Sequence, residues 1–291
     1  MAIQDLHTTH IGGHAFRWGE RTYVMGVINM TPDSFSGDSL GHDVDAAVQR
    51  ALAMQEDGAD IIDIGGESTR PPGAVYGEGG KPVPAEEELR RVLPVIRRLA
   101  SVLKIPISID TYKAEVAQLA IPAGASLIND VWGLKRDPKL ARVAAELDMP
   151  IVLTHNQAGY AYHDLIAEVV TGLQDSVEMA VTAGVPAEHI VVDPGIGFGK
   201  QAEHNLEILR HIDEFKRALG YPVLLGTSHK SFIGRVLGDL PPHERGEGTA
   251  STVAVAIMKG VDIVRVHDVK RMVRVARMTD AIVRGWFRPS S

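Results

Sequence analysis

Polar side chains suited to binding or catalysis follow almost every strand-length apolar run of this chain. They are Asn29 after YVMGVI, Glu67, Thr69 and Arg70 after ADIIDIGG, Asp110 after IPISI, Asn129 and Asp130 after ASLI, His155 after PIVLT, Asp193 after HIVV, Ser228 and Lys230 after PVLLGT, and Arg265 and His267 in DIVRVH. An apolar segment that turns polar at its carboxyl end is typical of a buried parallel strand. Eight such endings predict that one face of a closed barrel carries a site.

Carboxylates at three of these strand ends indicate a ligand rich in N–H groups. Asp110 and Asp193 each end a strand, and Asn129 and Asp130 together end a third. Carboxylates in a barrel mouth are partly desolvated and require donors. A flat heterocycle with an amino-amide edge can donate two parallel N–H bonds to one carboxylate. For Asp110 the alternative is a helix cap, because a helix is expected from about Thr111.

Two loops combine groups that suit an anion. In GGESTRPPG, Thr69 and Arg70 offer a hydroxyl and a guanidinium beside paired glycines, which allow the backbone to approach phosphate oxygens closely. In GTSHKSFIG, Ser228 and Lys230 stand at the start of a predicted short helix, whose free N–H groups attract anions. The alternative for Ser228 is a simple N-cap.

Further segments supply single candidates. Arg265 and His267 stand two residues apart in RVHDVK, so on a strand both can reach one anion. TPDSFS surrounds Phe35 with polar groups, and DPGIGFGK offers Phe198 as a wall but matches neither a P-loop nor a dinucleotide fingerprint. The N-terminal histidines precede the first expected strand of the barrel, which disfavours a metal site there.

Strands and helices alternate along the chain and position these residues. Apolar runs predict strands near 107–110, 125–128, 150–154, 189–192, 222–227 and 262–266, and helical spacing fills the intervals, including 203–219. This alternation, and a length of 291 residues, predict a single α/β domain over residues 1–291 that folds as a (β/α)8 TIM barrel. HAFRWGERTYV predicts a short β-hairpin that turns at Gly19 and covers the barrel bottom. Residues 1–13 are expected to be a poorly ordered tail.

Composition excludes several classes of protein. The chain contains no cysteine, so disulfides, thiolate nucleophiles and cysteine zinc sites are ruled out. Its net charge of −7 and the absence of a basic block argue against nucleic acid as a partner. The first residues have no apolar stretch typical of a signal peptide, and VAVAIM is too short to span a bilayer. We therefore expect a cytoplasmic protein without membrane contact.

Seven segments together resemble the dihydropteroate synthase family of folate biosynthesis. They are GVINMTPDSFS, DIGGESTRP, SIDTYK, LINDVWG, DPGIGFGK, GTSHKSFIG and RVHDVK, and the resemblance runs from Val24 to the last helix. It implies a (β/α)8 barrel, usually a homodimer. It also implies an enzyme that joins hydroxymethyl-dihydropterin diphosphate to 4-aminobenzoate with the help of Mg2+ and releases diphosphate. Sulfonamides would compete with the aminobenzoate.

Position by position, the resemblance implies three groups of site residues. The catalytic, pterin-binding group is Asp110, Asn129, Asp193 and Lys230. The diphosphate group is Asn29, Thr69, Arg70, Arg265 and His267, with Asn29 on the metal. The aminobenzoate group is Thr31, Pro32, Ser34, Phe35, Arg70, Phe198 and Ser228.

Three positions depart from the family pattern. His229 stands where the arginine of a Ser-Arg-Lys run is common, Asn156 stands where a methionine is common, and the stretch after Arg70 is longer than usual. None of these removes a group that the reaction requires. The alternatives are a non-catalytic pterin-binding paralogue and a pterin-dependent methyltransferase of related fold, although the latter has no use for TPDSFS or GESTRP.

Overall fold

A parallel eight-stranded barrel forms the centre of the structure, a computed structural model that describes residues 8–31, 41, 43–68 and 80–285. The strands are β1 (Thr8–Ile11), β2 (His14–Arg17), β3 (Tyr23–Asn29), β4 (Ile61–Gly65), β5 (Ile107–Asp110), β6 (Leu127–Asp130), β7 (Ile151–Thr154), β8 (Ile190–Asp193), β9 (Leu224–Leu225) and β10 (Ile263–Val266). The barrel strands are ordered β8-β7-β6-β5-β4-β3-β10-β9. A parallel bridge between Val192 and Val223 closes the barrel. The predicted TIM barrel is confirmed.

Helices cover the outside of the barrel. They are α1 (Val44–Glu56), α2 (Ala85–Ala100), α3 (Ala114–Ala123), α4 (Lys139–Glu146), α5 (Leu165–Thr182), α6 (Ala202–Arg210), α7 (Ile212–Leu219), α8 (Ser231–Val236), α9 (Gly246–Met258) and α10 (Val269–Arg284). The helix predicted over 203–219 is two helices that meet at His211. None of the helices in the described ranges is long and apolar enough to cross a membrane.

The barrel interior changes from apolar to polar along β4, β6, β7, β8 and β10. Its lower layer is one apolar cluster, formed by Ile11, Phe16, Trp18, Tyr23, Met25, Ile61, Leu127, Val152, Val191, Leu224 and Ile263. Because inward-facing residues recur every second position, the next inward residues can be read from the strands. They are polar: Asp63, Asn129, Thr154, Asp193 and Arg265. The apolar layer therefore forms a floor beneath a polar upper layer.

The N-terminal hairpin closes the barrel bottom, as predicted, but it lies earlier in the chain. β1 and β2 are joined at Gly12 and Gly13, both with positive φ, and not at Gly19. Residues 8–13, which were expected in the poorly ordered tail, form β1 and this turn. The strand predicted over 222–227 is shorter than expected, because only Leu224–Leu225 is a strand.

Candidate active site

The three strand-end residues expected to face a ligand lie at the carboxyl ends of neighbouring parallel strands. Asp110 and Asp193 are the last residues of β5 and β8, and Asn129 is the penultimate residue of β6. Their exposed fractions are 8%, 7% and 2%. Asp110 is not a helix cap, because α3 begins at Ala114 and its N-cap is Lys113. The barrel thus buries these polar groups together at one rim.

One side of this rim, the acidic wall, consists of Asp63, Asp110, Asn129 and Arg265. Arg265 donates from Nε to Asp63 Oδ2 at 2.7 Å and from Nη2 to Asp110 Oδ2 at 2.7 Å. Asn129 Nδ2 donates to the same oxygen of Asp63 at 3.0 Å. Two carboxylates therefore share one guanidinium. The sequence interpretation omitted Asp63, although a charged residue inside IIDI signals a buried partner.

Burial controls protonation in the acidic wall. The pKa of Asp110 is raised from its ordinary 3.8 to about 8, chiefly by loss of hydration; Arg265 opposes the shift and the Asp63 carboxylate adds to it. Burial lowers the pKa of Arg265, but Asp63 and Asp110 outweigh that effect and raise it overall, so the guanidinium stays charged. Among the described residues, Oδ1 of Asp63 and Oδ1 of Asp110 are buried without a hydrogen-bond partner. Asp110, at the end of its strand, can offer its Oδ1 to an N–H group of a ligand, whereas Asp63 lies one layer deeper.

The opposite side, the lysine wall, consists of Asp193, Phe198, Lys200 and Lys230. Lys230 Nζ donates to the carbonyl of Ile196 and lies 4.6 Å from the Phe198 ring centroid. Lys200 Nζ donates to the Phe198 carbonyl and lies 3.0 Å from it, within a loop whose Gly195 N–H donates to Asp193 Oδ1 at 2.8 Å. The sequence interpretation named Phe198 as a wall but omitted Lys200. A lysine that ends a Gly-rich motif is its only sequence signal.

The lysine wall has the reverse charge balance. Burial lowers the pKa of Lys200 to about 7 and of Lys230 to about 8, and Asp193 opposes both shifts. Burial raises the pKa of Asp193, while Lys230 opposes that shift. Lys200 Nζ also lies 3.0 Å from Nδ1 of His155, whose pKa is lowered by burial and by the neighbouring lysines. One carboxylate thus faces two ammonium groups.

Ser228 and His267 lie beside each other between the two walls. Ser228 Oγ accepts from the His267 backbone N–H at 3.1 Å and lies 3.0 Å from His267 Nδ1. Ser228 is not the cap of α8, because Lys230 occupies that position without a side-chain hydrogen bond. β10 ends at Val266, so His267 follows the strand instead of sharing it with Arg265. The carboxylates already bind Nε and Nη2 of Arg265, which the sequence interpretation treated only as an anion ligand.

Other polar strand ends serve the framework. Asp130 accepts from the backbone N–H groups of Trp132 at 2.8 Å and Leu134 at 2.6 Å, and so holds the loop after β6. Glu67 binds Lys113 Nζ at 2.5 Å. A polar residue at a strand end is therefore a site candidate only if it faces inward.

Some of the remaining predicted residues lie within the described ranges of the structure and others lie outside them. Asn29 ends β3 and is half-buried, and Thr31 is buried just beyond it. Pro32, Ser34, Phe35, Thr69 and Arg70 lie outside the described residues, as do most of the two long loops that contain them. Within the described ranges, no group of three His, Asp or Glu side chains could hold a metal ion.

An α/β barrel whose carboxyl rim carries buried polar groups, unpartnered within the described part of the chain, above an apolar floor has the architecture of a TIM-barrel enzyme with its ligand site at that rim. Residues 25–267 match the pterin binding enzyme family. A dihydropteroate synthase of Bacillus subtilis is 52% identical over 281 residues, which cover 97% of this chain and 95% of that protein.

Solved structures agree with these sequence matches. A dihydropteroate synthase of Clostridium difficile, crystallised in the presence of pteroic acid, is 51% identical with a TM-score of 0.85 and covers 92% of this chain and 98% of that one. The Xanthomonas albilineans enzyme with 4-aminobenzoic acid is 40% identical with a TM-score of 0.87 and covers 95% and 98%. The chain belongs to the dihydropteroate synthase family of pterin-binding enzymes.

Proposed function

We propose that this protein condenses (7,8-dihydropterin-6-yl)methyl diphosphate with 4-aminobenzoate to give 7,8-dihydropteroate and diphosphate. The amine nitrogen forms a bond to the pterin methylene carbon and loses a proton, while the bond from that carbon to oxygen breaks and diphosphate leaves with the electron pair. The supporting observation is the convergence of Asp110, Asn129 and Asp193 on one buried rim in a member of this family. An aromatic amine is neutral at pH 7, so positioning supplies much of the catalysis.

The pterin would lie between the two walls. Asp110 and Asp193 would accept N–H groups of the ring, and Lys230 would donate to a ring acceptor. Because Oδ1 of Asp110 is buried without a hydrogen-bond partner among the described residues, a bound pterin would supply the N–H donor that this oxygen lacks. The same carboxylates tolerate positive charge that develops on the methylene carbon.

The leaving diphosphate would lie toward Asn29, Thr69, Arg70, Arg265 and His267. Mg2+ keeps several waters and binds through few protein oxygens together with substrate phosphates, so the Asn29 amide at the rim fits this ion without an acidic cluster. When bound, Mg2+ stabilises the negative charge that develops on diphosphate. Arg265 would donate from Nη1 toward the same oxygens, and His267 would lie beside them.

The 4-aminobenzoate would bind farther out on the rim. The residues proposed to line its pocket are Thr31, Pro32, Ser34, Phe35, Arg70, Phe198 and Ser228. Sulfonamides would compete there, because they present an aromatic amine of similar shape. Phe198 is already placed by its contact with Lys230, which supports this assignment.

We also propose a homodimer that pairs through α9 and α10. These two helices pack against each other and carry exposed apolar side chains: Val255 (43%), Met258 (63%), Met278 (63%), Ile282 (68%) and Val283 (43%). Several large exposed apolar side chains on two adjacent helices are typical of an interface. Light scattering should give twice the chain mass of 31.4 kDa for the wild type and a monomer for Ile282→Asp.

A diphosphate-release assay tests the function directly. Diphosphate should appear in step with dihydropteroate when dihydropterin diphosphate, Mg2+ and 4-aminobenzoate are all present, and more slowly without the aminobenzoate. Pterin binding without turnover would identify a non-catalytic paralogue. A protein that neither binds the pterin nor releases diphosphate would contradict the proposal.

A further inference from the structure

Asp63 is the most deeply buried ionisable group of the site, and the proposed reaction assigns it no role. It lies in the middle of β4 with an exposed fraction of 0%. Its Oδ2 accepts from Arg265 Nε at 2.7 Å and from Asn129 Nδ2 at 3.0 Å. Both donors belong to residues that the proposed function places against substrate.

The hydrogen bond to Asn129 determines which way that amide faces. Oδ2 of Asp63 accepts from Arg265 Nε, and Asn129 directs its NH2 group toward the same oxygen. The carbonyl oxygen of Asn129 is then fixed on the other side of the amide. The acidic wall therefore offers Asn129 Oδ1 and Asp110 Oδ1 as acceptors, which suits a ligand edge made of N–H groups.

The hydrogen bond to Arg265 fixes the plane of the guanidinium. With Nε on Asp63 and Nη2 on Asp110, both at 2.7 Å, two hydrogen bonds hold the plane of the group. The two N–H groups of Nη1 and the second N–H of Nη2 are not used in these bonds and can bind a substrate anion. Asp63 thus connects residues from β4, β5, β6 and β10 into one rigid network.

We propose that Asp63 is a positioning residue for pterin binding, which orients the Asn129 amide and the Arg265 guanidinium without touching the reacting atoms. This inference rests on the proposed function. It predicts a loss of pterin affinity when the acceptor is removed, and partial rescue by a side chain that keeps an acceptor in the same place.

Asp63 also sets the charge around Asp110. The charged groups that act on Asp110 are Arg265, which lowers its pKa, Asp63, Glu88 and Asp130, which raise it, and Lys230, whose own pKa Asp110 raises. Replacing Asp63 by asparagine removes one negative charge and leaves Asp110 as the one carboxylate bound to Arg265. Both effects favour the ionised form of Asp110, so its pKa should fall.

The experiment compares two buried aspartates that each bind a cation. Asp262 has an exposed fraction of 0% and accepts from Lys216 Nζ at 2.7 and 2.8 Å and from the Val223 N–H at 2.9 Å, at the opposite end of the barrel. Calorimetry with a phosphate-free dihydropterin should show roughly tenfold weaker binding for Asp63→Ala. Asp262→Ala should lower thermal stability and leave this affinity unchanged.

Asp63→Asn separates the effect of orientation from the effect of charge. Because it keeps the shape of the side chain, it also serves as the test if Asp63→Ala does not fold. Its amide oxygen can still accept from Arg265 and Asn129, so affinity at the optimum should recover to within about threefold of wild type. Because ionised Asp110 accepts ring N–H groups, pterin affinity should rise with pH as Asp110 loses its proton, and in Asp63→Asn this rise should occur at lower pH. Wild-type affinity in Asp63→Ala, or an unshifted pH profile in Asp63→Asn, would overturn the inference. Failure of the wild type to bind dihydropterin would instead reject the proposed function.

Discussion

The two walls of the site have opposite charge imbalances. In the acidic wall, Asp63 and Asp110 share Arg265, whereas in the lysine wall Asp193 faces Lys200 and Lys230. Burial raises the pKa of Asp110 and lowers the pKa of both lysines, so each wall contains a group that titrates near neutral pH. A ligand with N–H donors on one edge and acceptors on another offsets both imbalances.

The cations of the two walls differ in how readily they lose a proton. A guanidinium keeps its proton at every accessible pH, while a buried lysine can release one. In the acidic wall, Arg265 therefore remains positively charged and hydrogen-bonded to both carboxylates. In the lysine wall, Lys200 and Lys230 can lose a proton and with it their positive charge. This difference predicts unequal responses to removal of each cation.

Arg265→Gln should have the largest effect. It leaves Asp63 and Asp110 buried without their shared cation, which costs about 3–5 kcal/mol of unfolding free energy. Arg21→Gln is the matched control, because Arg21 forms a two-bond pair with Asp60 but its side chain is 51% exposed. That control should lose less than about 1 kcal/mol. Equal losses in urea unfolding would show that burial does not distinguish the two pairs.

Lys230→Met should have a smaller effect on stability. The lysine releases its proton easily because burial lowers its pKa to about 8, so the folded protein depends less on its charge. We expect a change of about 1 kcal/mol in unfolding free energy and roughly tenfold weaker binding of a phosphate-free dihydropterin. A stability loss as large as that of Arg265→Gln would contradict the contrast between the walls.

The two walls should also affect the pH dependence of the unfolding free energy in opposite directions. Asp110 has an ordinary pKa of 3.8 and a folded value of about 8, so the folded state binds the extra proton and stability falls with pH across that window. Lys200 has an ordinary pKa of 10.5 and a folded value of about 7, so the unfolded state binds the extra proton and stability rises from pH 7 upward.

Two variants should each remove one of these slopes. Relative to the wild type, Asp110→Asn should lack the fall and Lys200→Met should lack the rise, each by at most about 1.4 kcal/mol per pH unit. Unfolding free energies measured in urea between pH 5 and pH 10 test both. Parallel curves for all three proteins would contradict the assignments.

The sequence predicted the barrel, and the placement of three polar residues at its rim, because both depend on local pattern. Asp110, Asn129 and Asp193 each follow an apolar run, and strand direction places all three at one face. Asp63 was missed because its partners lie on distant strands: Arg265 is 202 positions away in the chain. Such pairing depends on barrel closure and leaves no periodic signal.

The hairpin shows a second limit. Gly12, Gly13 and Gly19 all have positive φ and could form the hairpin turn. Which of them joins the two strands depends on which residues are buried at the barrel bottom. Trp18 is buried against the floor and its Nε1 donates to Thr9 Oγ1 at 2.9 Å, which requires β1 to pair with β2. Tertiary burial, and not turn propensity, therefore decided the register.

Calorimetric binding of a phosphate-free dihydropterin to Asp193→Asn tests most directly whether the inward-facing strand ends hold the pterin. Asp130→Asn is the matched control, because Asp130 also ends a strand in full burial but binds only backbone N–H groups. Asp193→Asn should bind about tenfold to a hundredfold more weakly, equivalent to about 1.5–3 kcal/mol for a lost charge-assisted hydrogen bond. Asp130→Asn should bind as the wild type does. Unchanged affinity in Asp193→Asn, or equal losses in both variants, would contradict the account.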